Sequence, residues 1–273
     1  PWATGESRTR RDAKCDNPPA GGRGATQRGR APRTLVRAAA ASGAVASAVA
    51  APCDPHSDHS IPTHEMSRYP LTDLALSRRL ERAEACANAA FVEARAALSP
   101  AVGAGWRDVG GAYVMFDGIG SPLTQSFGVA LFAPASPDQL QGIEEYLGAR
   151  GAEVVHEVSP LADPAILPIL AARGYRPVEL TSVLCRVLDP AQPSPDSGTP
   201  GLVARRIAPD ETATWVETAA AGWGETPELA EFMRDFGGVT VRASRTHALL
   251  AERDGVTIAA GAMPINEGDA LLP

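Results

Sequence analysis

The chain has 273 residues and a formal net charge of −7, from 25 basic and 32 acidic side chains. This acidic balance argues against a nucleic-acid partner, because nucleic-acid-binding surfaces concentrate positive charge. The four cysteines, at positions 15, 53, 86 and 185, form no close pair, which argues against a disulfide framework and an oxidising compartment. The composition therefore predicts a cytoplasmic protein that binds neither nucleic acid nor metal.

Residues 1–65 differ in composition from the rest of the chain. They carry nine basic against six acidic residues and are rich in Arg, Gly, Pro and Ala, whereas the remainder carries sixteen basic against 26 acidic residues. Such a segment has no amphipathic period and cannot bury enough apolar surface to offset its chain entropy. We predict that it is disordered, or a non-native upstream segment that precedes a start at Met66.

Two features of this segment suggest more specific functions, and neither is supported by its composition. The run Ala38–Ala51 is too weakly apolar for a secretory signal or a membrane span, so no membrane partner is predicted. One cysteine and three histidines have metal-like spacing: Cys53, His56, His59 and His64. They lie among prolines with no fold to hold them, so no metal site is predicted.

The first predicted element after this segment is an amphipathic helix. From Asp73 to Ala94 the apolar residues recur three or four apart, and Pro100 ends the pattern. Two strands are then predicted, separated by a turn at Asp117–Gly118: Ala112–Phe116 and Gln125–Phe132. Cys86 on the apolar helix face and Cys185 in a later strand are both expected to be small buried side chains.

A second helix has well-defined end signals. Ser136 is a typical N-cap, Pro137 suits the first helical position, Gln139 completes a capping box, and Gly151 marks the C-terminal end. Three further elements follow in the order strand, helix, strand: Glu153–Val158, Asp163–Gly174 and Pro177–Leu188. Pro168 predicts that the helix among them is kinked or begins late.

Residues 189–200 contain four prolines and no large apolar residue, which predicts a semi-rigid linker. Beyond the linker the pattern predicts one strand, two helices and three antiparallel strands. The hairpin turn of this part lies at Asp254–Gly255. The predicted elements are Leu202–Ile207, a helix that Asp210 caps and that runs through Trp215 to Ala221, Thr226–Gly238, His247–Arg253, Val256–Pro264 and a last strand from Asp269.

This order of elements resembles a known superfamily. Strand–helix–helix–hairpin–strand is similar to the opening half of the GNAT acetyltransferases, and the helix–strand–helix–strand order of residues 136–188 resembles their closing half. The passage Leu170–Pro177 is similar to the helix, Arg-Gly-Tyr, strand passage near the end of these domains. The resemblance implies an α+β fold with two GNAT-like units, each a largely antiparallel mixed sheet flanked by helices: a degenerate copy at 66–188 and the opening half of a second at 201–273.

The resemblance also implies acetyl-CoA as co-substrate. The family places Gln/Arg-x-x-Gly-x-Gly/Ala after its fourth strand, where backbone N–H groups and a helix N-terminus meet the pyrophosphate. The matching stretch Ala133–Gln139 has two prolines, no glycine and the acidic Asp138, so we predict that the first copy does not bind CoA. In the second copy the implied cofactor contacts are the strand backbone of Leu271 and Leu272. The chain ends where the motif would begin, and we expect a fragment that does not itself catalyse transfer.

No catalytic residue is assigned. Leu170 stands where many family members carry a tyrosine. Adjacent strand residues point to opposite faces, so His156 and Glu157 are not expected to act as a pair, and one of them should be buried and the other solvated. By the resemblance, Trp223 and Glu225 line a pocket for the acceptor amine. The alternative is that Trp223 packs on the sheet and Glu225 only precedes a helix cap.

The implied function is transfer of an acetyl group from acetyl-CoA to a small-molecule or peptide amine by direct attack of the amine on the thioester. The first alternative is a non-catalytic GNAT-like binding or scaffolding protein in which both cofactor sites are lost. A second alternative, an unrelated pair of α+β domains, requires the helix–helix–hairpin order to be a coincidence. The sequence assigns neither the acceptor nor the oligomeric state.

Overall fold

A computed structural model describes residues 36–37, 72–189, 191, 199–224 and 226–272. These residues form two β-sheets and five α-helices. Within 1–65 the described part is the two-residue strand β1, Val36–Arg37, so the prediction of disorder there otherwise falls outside the described residues. The same holds for most of the predicted linker at 189–200. No helix of the described ranges is both long and apolar enough to cross a membrane.

The first sheet has six strands in the order β2-β3-β4-β5-β1-β6. It is antiparallel from β2 to β4 and parallel from β4 to β6. Besides β1, its strands are β2 Gly105–Val109, β3 Ala112–Phe116, β4 Ser126–Phe127, β5 His156–Glu157 and β6 Pro177–Glu179.

Helix α1, Leu74–Leu98, covers one face of this sheet. Its N-cap is the predicted one, since the Leu76 N–H donates to Asp73 Oδ1 at 2.7 Å. The small and β-branched residues of one helix stripe pack with aromatic residues of the sheet to form a core: Ala85, Cys86, Ala89, Val92, Trp106, Tyr113, Met115 and Phe127. The helix is therefore stabilised by its apolar stripe, and Cys86 is buried as predicted.

The opposite face is covered by α2, Pro137–Gly148, and α3, Ile166–Ala172. The N-cap Ser136 accepts from the Asp138 N–H, as predicted. Gln139 makes no capping box, because its amide instead donates to the carbonyls of Val109 and Gly110. Helix α3 begins late, which puts Pro168 in its first turn, where a missing N–H costs no helical hydrogen bond.

The predicted turn at Asp117–Gly118 was wrong as a hairpin. The hairpin between β2 and β3 is at Gly110–Gly111, with φ of 60° and 88°, values that favour glycine. Asp117 instead begins a loop and is buried against Arg95. The strand predicted to reach Phe132 ends at Phe127, because the chain then turns through Gly128 with φ of 74°.

The strand predicted at Pro177–Leu188 was also too long. Only Pro177–Glu179 pairs with the sheet, and residues 180–189 have no regular structure. Cys185 is consequently exposed rather than buried in a strand. The alternation of apolar residues there is compatible with a strand, but a strand also needs a neighbour to receive its hydrogen bonds.

The second sheet is an antiparallel meander in the order β10-β9-β8-β7. Its elements match the predicted order of one strand, two helices and three strands: β7 Leu202–Arg206, α4 Thr212–Trp223, α5 Pro227–Thr240, β8 Thr246–Arg253, β9 Val256–Asn266 and β10 Asp269–Ala270. The predicted turn is confirmed, with positive φ at Asp254 and Gly255. Trp215 is a core residue, as predicted, and its indole N–H donates to the carbonyls of Leu249 and Gly261.

Two predicted helix ends of this part were wrong. Helix α5 continues through Gly237, because this residue lies against the Trp215 ring, where an added Cβ would come within 3.2 Å of a ring carbon. Asp210 does not cap α4. A short 3₁₀ turn, Pro209–Glu211, precedes that helix, and the Ala208 N–H donates to Glu211 at 2.7 Å.

Helix α1 contacts both sheets. Arg79 pairs with Asp269 on β10, with Nε and Oδ2 2.7 Å apart. The buried Asn266 amide donates to the Ala83 carbonyl at 3.1 Å. The Phe91 ring packs on an aromatic ring of α5 at 4.4 Å between centroids. The two parts that the sequence predicted as separate units are thus joined through one helix.

Candidate functional site

The first candidate site is the edge of the first sheet where the parallel strands β4 and β5 end. In open sheets, ligands bind outside the carboxyl ends of parallel strands. Here the turn after β4 has its N–H groups occupied by side chains of the chain itself. Gly128 donates to Glu81 at 3.0 Å, Ala130 to Gln139 at 3.3 Å, and Ala135 to Asp163 at 3.0 Å.

The N-terminal half of α1 closes the same edge. Arg78 donates to the Leu131 carbonyl at 2.8 Å, and the Arg82 guanidinium lies 4.9 Å from the centre of the Phe132 ring. The Ser77 hydroxyl is hydrogen-bonded to another hydroxyl, that of the residue two places after β5, at 2.9 Å. A pyrophosphate needs unoccupied N–H donors and no adjacent carboxylates. The residues of this edge do not fit one, which supports the prediction that the first sheet does not bind CoA.

Glu81 is the most perturbed acid of this edge. Burial raises its pKa to about 7, the neighbouring Glu84 adds to the rise, and the hydrogen bond from Gly128 opposes it. Burial likewise raises the pKa of Glu84. Near neutral pH this edge is therefore poised between a protonated and an ionised carboxyl.

A serine–histidine pair lies at the amino ends of the same two strands. Ser126 Oγ and His156 Nδ1 are 2.8 Å apart, a distance suited to a nucleophile and its base. Both residues are fully buried, and burial lowers the His156 pKa to about 3. His156 Nε2 has no hydrogen-bond partner among the described residues, and the ring packs edge-on against Tyr175. A substrate cannot reach this pair, so we assign it a structural role.

The expectation that one of His156 and Glu157 is solvated was wrong. Their exposures are 0% and 2%. Helices cover both faces of the first sheet, and a strand in the interior of such a sheet is buried on both sides. The sequence shows no signal for this, because the layers that cover β5 come from distant parts of the chain.

The second candidate site is the predicted acceptor pocket. Trp223 is the last residue of α4 and is 38% exposed, so its indole is accessible. Glu225 lies outside the described residues. The Leu271 N–H donates to the Pro264 carbonyl at 3.0 Å, and Leu272 is 78% exposed. An incoming ligand oxygen would have to compete with the carbonyl at Leu271.

One polar network was missed by the sequence analysis. Arg95 is buried on α1 and binds Asp117 with Nε 3.0 Å from Oδ1, and Asp235 on α5 with Nη1 2.8 Å from Oδ1. The Ser121 hydroxyl donates to the other Asp117 oxygen at 2.7 Å. The available signal was the position of Arg95, four residues after Phe91 on the apolar stripe of the helix, where a charge requires a partner. In the described ranges no group of acidic, histidine and cysteine side chains suits a metal ion.

No protein-family model matches the chain, and no curated protein matches it. Among solved structures, the chain is similar to a GCN5-related N-acetyltransferase from Kribbella flavida. The two are 18% identical, the match covers 66% of this chain and 69% of that one, and the TM-score is 0.40.

Proposed function

We propose that the chain is part of an acetyl-CoA-dependent N-acetyltransferase of the GNAT type, with the chemistry at the second sheet. The supporting observation is the order of that sheet. One strand, two helices and three strands form a single antiparallel meander, and α4 packs on it through Trp215. This is the order that the resemblance implies for the opening half of the domain.

Acetyl-CoA would supply a thioester carbonyl as the group under attack. The protein's contribution is to hold a neutral amine against it and to direct strand N–H groups at the carbonyl oxygen. The residues placed for these tasks are Trp223, with its accessible indole at the end of α4, and the backbone of Leu271 and Leu272 after β10. Glu225 is proposed to attract the ammonium form of the acceptor.

The first sheet is proposed to have no catalytic part. Its turn after β4 has carboxyl groups of Glu81 and Asp163 where a phosphate would bind. Its serine–histidine pair is sealed from solvent. These two observations favour the alternative function, a binding or scaffolding protein, for this half of the molecule.

The test measures CoA release from acetyl-CoA with a panel of primary amines, using this chain and the product of its complete gene. Transfer by the complete product is expected. Trp223→Ala should raise KM for the amine by about three- to tenfold while affinity for acetyl-CoA is unchanged, because a half-exposed aromatic contact contributes about 0.5–1.5 kcal/mol.

Leu184→Ala is the matched control, since this side chain is 93% exposed and lies far along the chain from the proposed pocket. It should leave both constants unchanged. Failure of the complete product to bind acetyl-CoA by calorimetry would exclude the transferase and leave the binding protein.

A further inference from the structure

A cavity of about 450 Å³ lies beside the amino ends of β4 and β5. Residues from two loops line it, one at 119–125 before β4 and one at 151–155 before β5. The cavity is therefore on the opposite edge of the sheet from the turn after β4, and it is separate from the second sheet where we place the transferase chemistry. Its volume lies in the range of small-molecule pockets.

The first loop is held in place by its own polar groups. The Asp117 N–H donates to Thr124 Oγ1 at 2.9 Å, and the Thr124 hydroxyl donates to the Gly118 carbonyl at 2.7 Å. The Ser121 hydroxyl donates to the Asp117 carboxylate, which is itself paired with Arg95. Both hydroxyls of the cavity wall are thus committed within the loop, and the wall is preorganised.

Gln125 differs from these hydroxyls. Its residue is 8% exposed, and its backbone is fixed by the Met115 N–H, which donates to the Gln125 carbonyl at 2.8 Å. Its side-chain Oε1 is shielded from solvent and has no hydrogen-bond partner among the described residues. A buried acceptor without a donor is unfavourable, so the site favours a ligand that brings an N–H.

The remaining lining residues add a charge and an apolar wall. Glu153 lines the cavity and is exposed to solvent, so its carboxylate is available at the mouth. Ile119, Pro122 and Val155 contribute aliphatic surface. The last side-chain torsion of glutamine is soft, and rotation of the Gln125 carboxamide brings Oε1 to the cavity.

We propose that this cavity binds a small alkylammonium ion. The ammonium donates to Gln125 Oε1, its positive charge lies near the Glu153 carboxylate, and the alkyl chain packs on Ile119, Pro122 and Val155. The site is independent of the proposed acetyl transfer, because it lies in the first sheet and uses none of the residues assigned to that reaction. Binding here therefore stands or falls separately from the transferase.

The test titrates n-pentylammonium into the ¹⁵N-labelled protein and follows amide signals by NMR, with 1-pentanol and pentanoate as neutral and anionic probes of equal length. Shifts are expected at residues 119–125 and 151–155 and at the Gln125 side-chain amide, with pentylammonium the tightest of the three probes. Equal affinity for pentanol, or shifts confined to other residues, would overturn the proposal.

Two variants separate the two contacts. Gln125→Leu removes the acceptor and should weaken pentylammonium binding about three- to tenfold, the effect of one net hydrogen bond. Glu153→Gln removes an exposed charge and should weaken it about two- to fivefold, with no change for pentanol. Gln141→Leu on the exposed side of α2 is the matched control and should bind as the unaltered protein does. If Gln125→Leu does not fold, Glu153→Gln decides alone, and unchanged pentylammonium affinity in that variant sinks the proposal.

Discussion

Glu81 is buried, hydrogen-bonded to the Gly128 N–H and close to a second acid, Glu84. A folded-state pKa of about 7, against an ordinary 4.5, means that the folded protein binds a proton more readily than the unfolded chain. The stability contributed by this group is therefore present below pH 4.5 and is lost as the pH rises through 7.

We expect Glu81→Gln to stabilise the protein above pH 7 and to have little effect near pH 4.5. The amide keeps an acceptor for Gly128 but carries no charge, so it avoids a cost of at most about 3 kcal/mol for ionisation in the interior. Urea unfolding from pH 5 to pH 8 measures the difference. Glu145→Gln, an exposed change on α2, is the control, and a gain that is the same at every pH would contradict the assignment.

Arg95 provides the second prediction at this scale, because its two carboxylate partners differ in burial. The Asp117 side chain is 2% exposed and that of Asp235 is 61% exposed. Asp117→Asn leaves the buried guanidinium without its enclosed counter-charge and should cost about 3–5 kcal/mol of unfolding free energy. Asp235→Asn should cost no more than about 1 kcal/mol, since water screens that pair. Equal losses in urea unfolding would refute this ranking.

Helix α1 is the element on which both sheets depend. Phe91→Ala removes a ring that is 5% exposed and packs on Phe236 of α5. The cavity left behind should cost about 3–5 kcal/mol. We also expect faster hydrogen exchange in α5 of the second part, although the substitution lies in the first. Leu98→Ala, at an exposed position of the same helix, is the control, and unchanged exchange in α5 would show that the contact is not structural.

The elements that the sequence predicted well are those with local signals. The caps Asp73, Ser136 and Thr226 bind N–H groups within three residues, and the turn at Asp254–Gly255 needs only its own two positive φ angles. Such interactions are complete within one window of sequence. The final meander followed from these signals.

The errors have the opposite origin, because each depends on a distant residue. Asp117 leaves its expected hairpin turn to pair with Arg95, 22 positions earlier. Gly237 continues a helix because the ring of Trp215 lies against it. The candidate sites were predicted less well for the same reason. The occupation of the Gly128 N–H by Glu81 depends on a separation of 47 positions, which no local pattern reveals.

For the whole molecule, the contacts between α1 and the second sheet do not pass through the linker at 189–200. Cleavage in that linker should therefore leave two polypeptides that remain bound through Arg79, Phe91, Arg95 and Asn266. Limited proteolysis followed by native size-exclusion chromatography measures this. Separate elution of the pieces would contradict it.

After that cut, further digestion should remove residues 202–272 before residues 72–188. The second sheet ends in β10, a two-residue edge strand, and such edges open easily. Mass spectrometry of timed samples measures the order, and comparable resistance of the two parts would refute it. Phe91→Ala should widen the difference, whereas Leu98→Ala should not.

The position of Arg95 has one more consequence. Its guanidinium holds the loop that walls the proposed ammonium cavity on one side and helix α5 on the other. An ion that tightens this loop would also tighten the grip on α5, and by reciprocity a ligand at the second sheet would alter affinity for the ion by the same factor. In a molecule built this way, the half without catalytic residues can act as the effector-binding half.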